Sequence, residues 1–133
     1  MVSLNNAFAY HLVINALFCA PVFPLGLKGF VEFLSEGVVT DPSSWLIGVL
    51  GIDFVKNLMI GVQTYAAMSF GKAEQRTMAW IFVAMCLGCL WSMVLNPTGP
   101  TQPIPAVIYL TTVPAFYIYA LVTGDEMKAN KSK

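Results

Sequence analysis

Two side chains of opposite charge, Asp53 and Lys56, stand three residues apart inside a largely apolar and otherwise uncharged stretch from Trp45 to Phe70. On a helix that spacing puts both on one face, with Asn57 four residues from Asp53 on the same face. Ile60 and Thr64 continue the stripe, and Gln63 lies at its edge. A lone charge at the centre of a membrane span costs about 2.5–3.5 kcal/mol on insertion scales. A carboxylate and an ammonium paired on one face offset part of that cost, so the pair is expected to point into a bundle and away from lipid. Burial is also how general acids and bases are tuned. Asp53, Lys56 and Asn57 are therefore the candidate catalytic residues, Asp53 as acid or base with the other two positioning it. A structural ion pair that holds helices in register is the competing reading.

His11 and Asn15 are four apart near the N-terminus and share a face. With Gln63 and Thr64 they are the candidate substrate-binding residues. His11 could handle protons together with Asp53, but the simpler expectation puts it at the membrane interface, near the first turn of its span. Asn15 is the residue expected closer to Lys56. His11 is the one histidine in the chain, so a multi-histidine metal or haem site is excluded. No metal site and no cofactor is expected.

Ala84, Gly88 and Ser92 recur at spacing four, a pattern that lets another helix approach closely. Cys86 and Cys89 form a C-x-x-C on the same segment, where buried cysteines are expected to pack as small hydrophobes. Gly-rich phosphate loops, nucleophile elbows and zinc-ligand spacings do not occur. The nine Phe, five Tyr and seven Met could line a pocket for a lipophilic molecule, or simply face lipid and core.

These residues need elements to position them, and composition says which. Of 133 residues, 57% are hydrophobic and only 11% are charged, against roughly 25% charged in an average soluble domain. That balance suits a lipid solvent. The net charge of zero offers no field for nucleic acid. Residues 1–10 hold no Lys or Arg, so a cleaved secretory signal is not expected.

The predicted fold is all-α, a four-helix transmembrane bundle forming one domain over 1–133, with spans at about 6–27, 45–70, 78–95 and 105–122 and a polar tail over 123–133. Pro21 and Pro24 should kink or end the first span. Lys28 to Gly37 should form a short amphipathic element at the interface. Ser43 or Ser44 is the expected N-cap of the second span. Lys72 to Arg76 reads as a charged loop, and the Pro-rich 96–105 as a stiff connector or a lid. Pro114 should kink the fourth span, with Thr111 or a neighbouring helix satisfying the freed carbonyl. Spans three and four are short, so three helices plus a re-entrant piece is the alternative.

Four spans put Lys72, Arg76, Lys128, Lys131 and Lys133 on one side and Lys28 on the other. Such a bias predicts cytoplasmic N- and C-termini of a multi-pass protein.

The layout resembles the small DoxX-like four-helix membrane proteins. Pro21 and Pro24, Gly51-x-Asp53 with Gly61, and the charged hairpin Lys72 to Arg76 carry that resemblance. It implies the fold and no specific activity. Lys56 and the Pro-rich third loop depart from it. Three functions fit the residues. The first acts on or holds a lipophilic metabolite without a cofactor, as an isomerase, cyclase or hydratase in natural-product biosynthesis. The second is a non-catalytic accessory subunit that meets a membrane-protein partner or a second copy through Ala84, Gly88 and Ser92. The third is a small transporter, which as a dual-topology dimer would need a weaker charge bias.

Overall fold

The computed structural model describes residues 3–35, 37, 39–95 and 104–131, with backbone alone at 34, 104, 105 and 124–131. Five helices follow in order: α1 (Leu4–Cys19), α2 (Val22–Leu34), α3 (Ser44–Ala67), α4 (Lys72–Leu95) and α5 (Ile104–Lys131). No strand occurs among the described residues. Three helices are long and apolar enough to cross a membrane, and the bent pair α1–α2 counts as a fourth span if taken as one. Twenty-four residues of α3 or α4 reach about 36 Å at 1.5 Å per residue, which exceeds the roughly 30 Å of hydrocarbon in a bilayer.

Local chemistry sets the ends. Ser3 is extended and its hydroxyl accepts from the Asn6 N–H at 3.2 Å, starting α1. Ser43 does the same for Leu46 at 3.3 Å, starting α3 as the sequence predicts. At Pro21 the chain turns by 70° between α1 and α2. Proline has no N–H to continue the ladder, and its ring crowds the preceding turn. The first predicted span is thus two helices. Gly26, at a φ of 65°, breaks α2 again. Within α2, Phe30 and Val31 are buried while Lys28 and Glu32 are exposed, the amphipathic character expected of that stretch.

The other boundaries shift in two places. Lys72 to Arg76 form the first turn of α4, not a loop, so α4 is of full spanning length. Span three is therefore longer than expected, whereas the apolar part of α5, Ala106–Thr123, is 18 residues and short as expected. The fifth helix runs through the polar tail to Lys131, because Glu126 to Lys131 is rich in helix-forming side chains. Within α5, Thr111 donates to the Val107 and Ile108 carbonyls at 2.7 and 3.2 Å. It does not reach the Leu110 carbonyl that Pro114 leaves without a partner, because its short side chain folds back within its own preceding turn. The Pro-rich connector over 96–103 lies outside the described residues.

Helix α1 packs mainly on α3 and α5, and α4 on α5. Although joined by a tight corner at Gly71, α3 and α4 diverge and barely touch. The core lies between α1, α4 and α5. Phe8 meets Tyr117 edge-on at 5.1 Å, and Phe82 stacks on Tyr117 at 5.8 Å. Outside, Ile52, Val55, Met59 and Val62 of α3 are exposed. In α3 only Thr64 and Ala67 are buried. An apolar exterior of this extent is what a lipid solvent permits and water does not.

Candidate functional site

The polar centre of the bundle is His11. It is fully buried, with Nε2 2.6 Å from the Tyr109 hydroxyl and Nδ1 2.9 Å from the Tyr117 hydroxyl. The ring also meets the Phe82 ring edge-on at 4.8 Å. His11 is therefore covered by protein on all sides and is not a side chain reaching outward to a polar surface. The bend at Pro21 ends α1 at Cys19, and α5 supplies two hydroxyls facing His11, so the ring is satisfied in the core. Thr64, also buried, approaches Nδ1 at 3.5 Å and donates to the Ile60 carbonyl at 2.7 Å. His11 and Thr64 are brought together; His11 and Asp53 are not bonded.

Tyr109 and Tyr117 were not singled out by the sequence reading. Their spacing of eight residues puts them on one face of α5 two turns apart, the signal that could have found them.

Tyr109 forms part of the wall of a cavity of about 280 Å³ between α1, α2, α3, α4 and α5. Most of the lining is apolar, with Phe18, Phe30, Phe54, Ile60 and Leu110 prominent, and Asp53, Lys56, Asn57 and Cys89 join it. Lys56, Ile60 and Met85 also line a wide groove along α3, to which α4 contributes Met85, so the cavity and the groove share a wall beside the gap where those helices diverge. Gln63 lines that groove and not the cavity. A largely apolar cleft with a few convergent polar groups is the usual form of a small-molecule site.

Asp53 and Lys56 pair as expected, with Nζ 2.9 Å from Oδ1. Their burial is not as expected. Their side chains are 51% and 67% exposed respectively, so the pair sits at the open edge of the cavity instead of inside the bundle. The cause is the splaying of α4 from α3, which leaves this face of α3 uncovered.

Asn57 does not position the carboxylate. Its amide donates to the Asp53 backbone carbonyl at 2.9 Å, one turn back. Asn15 approaches Asn57 and not Lys56. It donates to the Asn57 carbonyl at 2.9 Å and accepts from Cys19 at 3.4 Å, tying α1 to α3.

Ala84, Gly88 and Ser92 are exposed on α4, and a Cβ at Gly88 would meet nothing within 4 Å. Gly88 thus serves no close helix approach among the described residues. Cys86 is buried and Cys89 is exposed at the cavity edge, and both are free thiols. Among the described residues no group of three His, Cys, Asp or Glu side chains could hold a metal ion.

The class that fold and site define is an all-α chain with three or four helices apolar enough to cross a membrane, folded round a buried histidine and an apolar cavity. No protein-family model matches the chain, and no curated protein or solved structure matches it.

Proposed function

We propose that the chain is a four-helix integral membrane protein that takes up a lipophilic small molecule and acts on it without a cofactor. The observation that carries this reading is the wall that the cavity and the groove share at Lys56, Ile60 and Met85, beside the gap between α3 and α4. A molecule dissolved in the bilayer enters sideways through that gap, without crossing a polar surface. Asp53 and Lys56 stand where it passes inward. In an isomerase- or cyclase-type step the Asp53 carboxylate accepts a proton from one carbon and returns it to another, and Lys56 holds that carboxylate in place.

The charge bias along the sequence supports cytoplasmic termini. The groove and the Asp53 end of the cavity then lie toward the opposite leaflet. The test is the profile of lipophilic metabolites in cells carrying Asp53→Asn, with protein level followed in parallel. Accumulation of one metabolite at normal protein level supports catalysis. An unchanged profile at normal protein level sinks it.

A second reading, an accessory subunit, draws on the exposed Ala84 and Gly88 on α4. Small residues at spacing four suit close contact with a partner helix in lipid.

A further inference from the structure

The hydrogen-bond partners of His11 determine where its proton sits, and this determines what the cavity offers a ligand. A neutral imidazole has one N–H donor and one acceptor nitrogen. Tyr117 is fully buried, and His11 Nδ1 at 2.9 Å is its hydroxyl's one hydrogen-bond partner among the described residues. A buried hydroxyl proton without an acceptor carries the full cost of its lost hydration. Tyr117 therefore donates to Nδ1. Thr64 does not compete, because its proton is given to the Ile60 carbonyl at 2.7 Å and its 3.5 Å approach to the ring is long.

With Nδ1 accepting, the ring proton is on Nε2, which donates to the Tyr109 oxygen at 2.6 Å. The proton of Tyr109 itself then has no acceptor among the described residues, and Tyr109 lines the cavity. The relay Tyr117 to His11 to Tyr109 thus ends in a hydroxyl donor. The reverse order would leave the orphan proton on Tyr117, where nothing can reach it.

We infer that Tyr109 donates a hydrogen bond into the cavity and that the molecule held there is a lipophilic carbonyl compound, its oxygen taken by this hydroxyl. The inference rests on the cavity reading above and names its ligand class. A carbonyl oxygen accepts without donating, which complements a wall whose free valence is a proton. The surrounding Phe18, Phe30, Phe54, Ile60 and Leu110 accept the hydrocarbon remainder. Tyr109 is the binding residue. His11 and Tyr117 are positioning residues that fix the direction of its proton.

The test uses the full chain in detergent micelles with three probes: methyl undecyl ketone, tridecane, and the secondary alcohol matching the ketone. Occupancy is read by native mass spectrometry and the ketone's carbonyl stretch by infrared difference spectra. The ketone should bind about two- to tenfold better than tridecane, the worth of one neutral hydrogen bond, with its stretch shifted to lower frequency. Tyr109→Phe should remove both effects. Tyr117→Phe should also remove them, although Tyr117 does not reach the cavity, because Nε2 is then free to accept the Tyr109 proton. The alcohol should keep its advantage over tridecane in Tyr117→Phe, since it can donate to the Tyr109 oxygen. If the ketone and tridecane bind wild type equally, the carbonyl assignment is overturned and the cavity reading stands. If no probe binds, both fall. A Tyr117→Phe protein with wild-type ketone preference overturns the relay, and this variant serves also if Tyr109→Phe fails to fold.

Discussion

His11 and Tyr109, 98 residues apart in sequence, are joined by a 2.6 Å contact between Nε2 and the phenolic oxygen. With Tyr117 on the other ring nitrogen, this contact locks α1 against α5 through a fully buried polar group. Such a network specifies one packing arrangement only while every member is paired.

His11→Phe keeps a planar ring, slightly larger than the imidazole, but strands the Tyr117 hydroxyl. The expected loss is about 1–3 kcal/mol for that orphan, seen as a lower unfolding midpoint in detergent with helicity retained before the transition. Wild-type stability in this variant would mean that the two tyrosines find other partners.

The Asp53–Lys56 pair should respond asymmetrically. In Asp53→Asn the freed Lys56 can stretch its stem along the groove toward the interface, as long basic side chains do. Protein level should therefore hold. Lys56→Met strands a short carboxylate that has no such reach, and the protein should become less abundant. Equal abundance of the two variants in isolated membranes would show that the pair bears no insertion cost.

Much of this fold could be read from the sequence where one residue decides a local event. Ser43 gives a cap, Pro21 gives a bend, and long apolar runs give helices. The sites were less legible. Asp53 and Lys56 were correctly paired, because pairing at spacing three is a property of one helix. Whether that face is covered depends on how far α4 leans from α3, which no spacing within α3 encodes. The burial of His11 depends on α5, because only Tyr109 and Tyr117 together make a buried ring tolerable. Gln75 was read as part of a charged loop, yet it is buried.

Gly88→Leu separates the two proposed functions. A Cβ at Gly88 meets nothing within 4 Å, so the larger side chain adds no clash inside this chain. Yield and unfolding midpoint should match wild type. If the chain is an accessory subunit, co-purification of its partners should be lost, because close helix approach needs a small residue there. A wild-type protein that purifies alone and stable removes the basis for that reading.

Gln75→Leu should loosen one end of the bundle without touching the cavity. The Gln75 amide nitrogen lies 2.7 Å from Asn5 Oδ1 and 3.2 Å from the carbonyls of Ala67 and Met68. It thus binds the first turn of α1, the last turn of α3 and the first turn of α4 at one point. Carbonyls at a helix C-terminus have no partner within their own helix; that of Ala67 also accepts from the Phe70 N–H at 3.2 Å, and Gln75 adds a donor to both. Leucine at this position fills the space but donates nothing, and the expected loss is about 1–3 kcal/mol. Because the defect is local, hydrogen exchange should rise in peptides covering 64–75 and stay unchanged in those covering 106–121. Ketone binding should persist, since neither Gln75 nor its partners line the cavity. Exchange that rises across all helices would mean instead that this corner is part of the cooperative core.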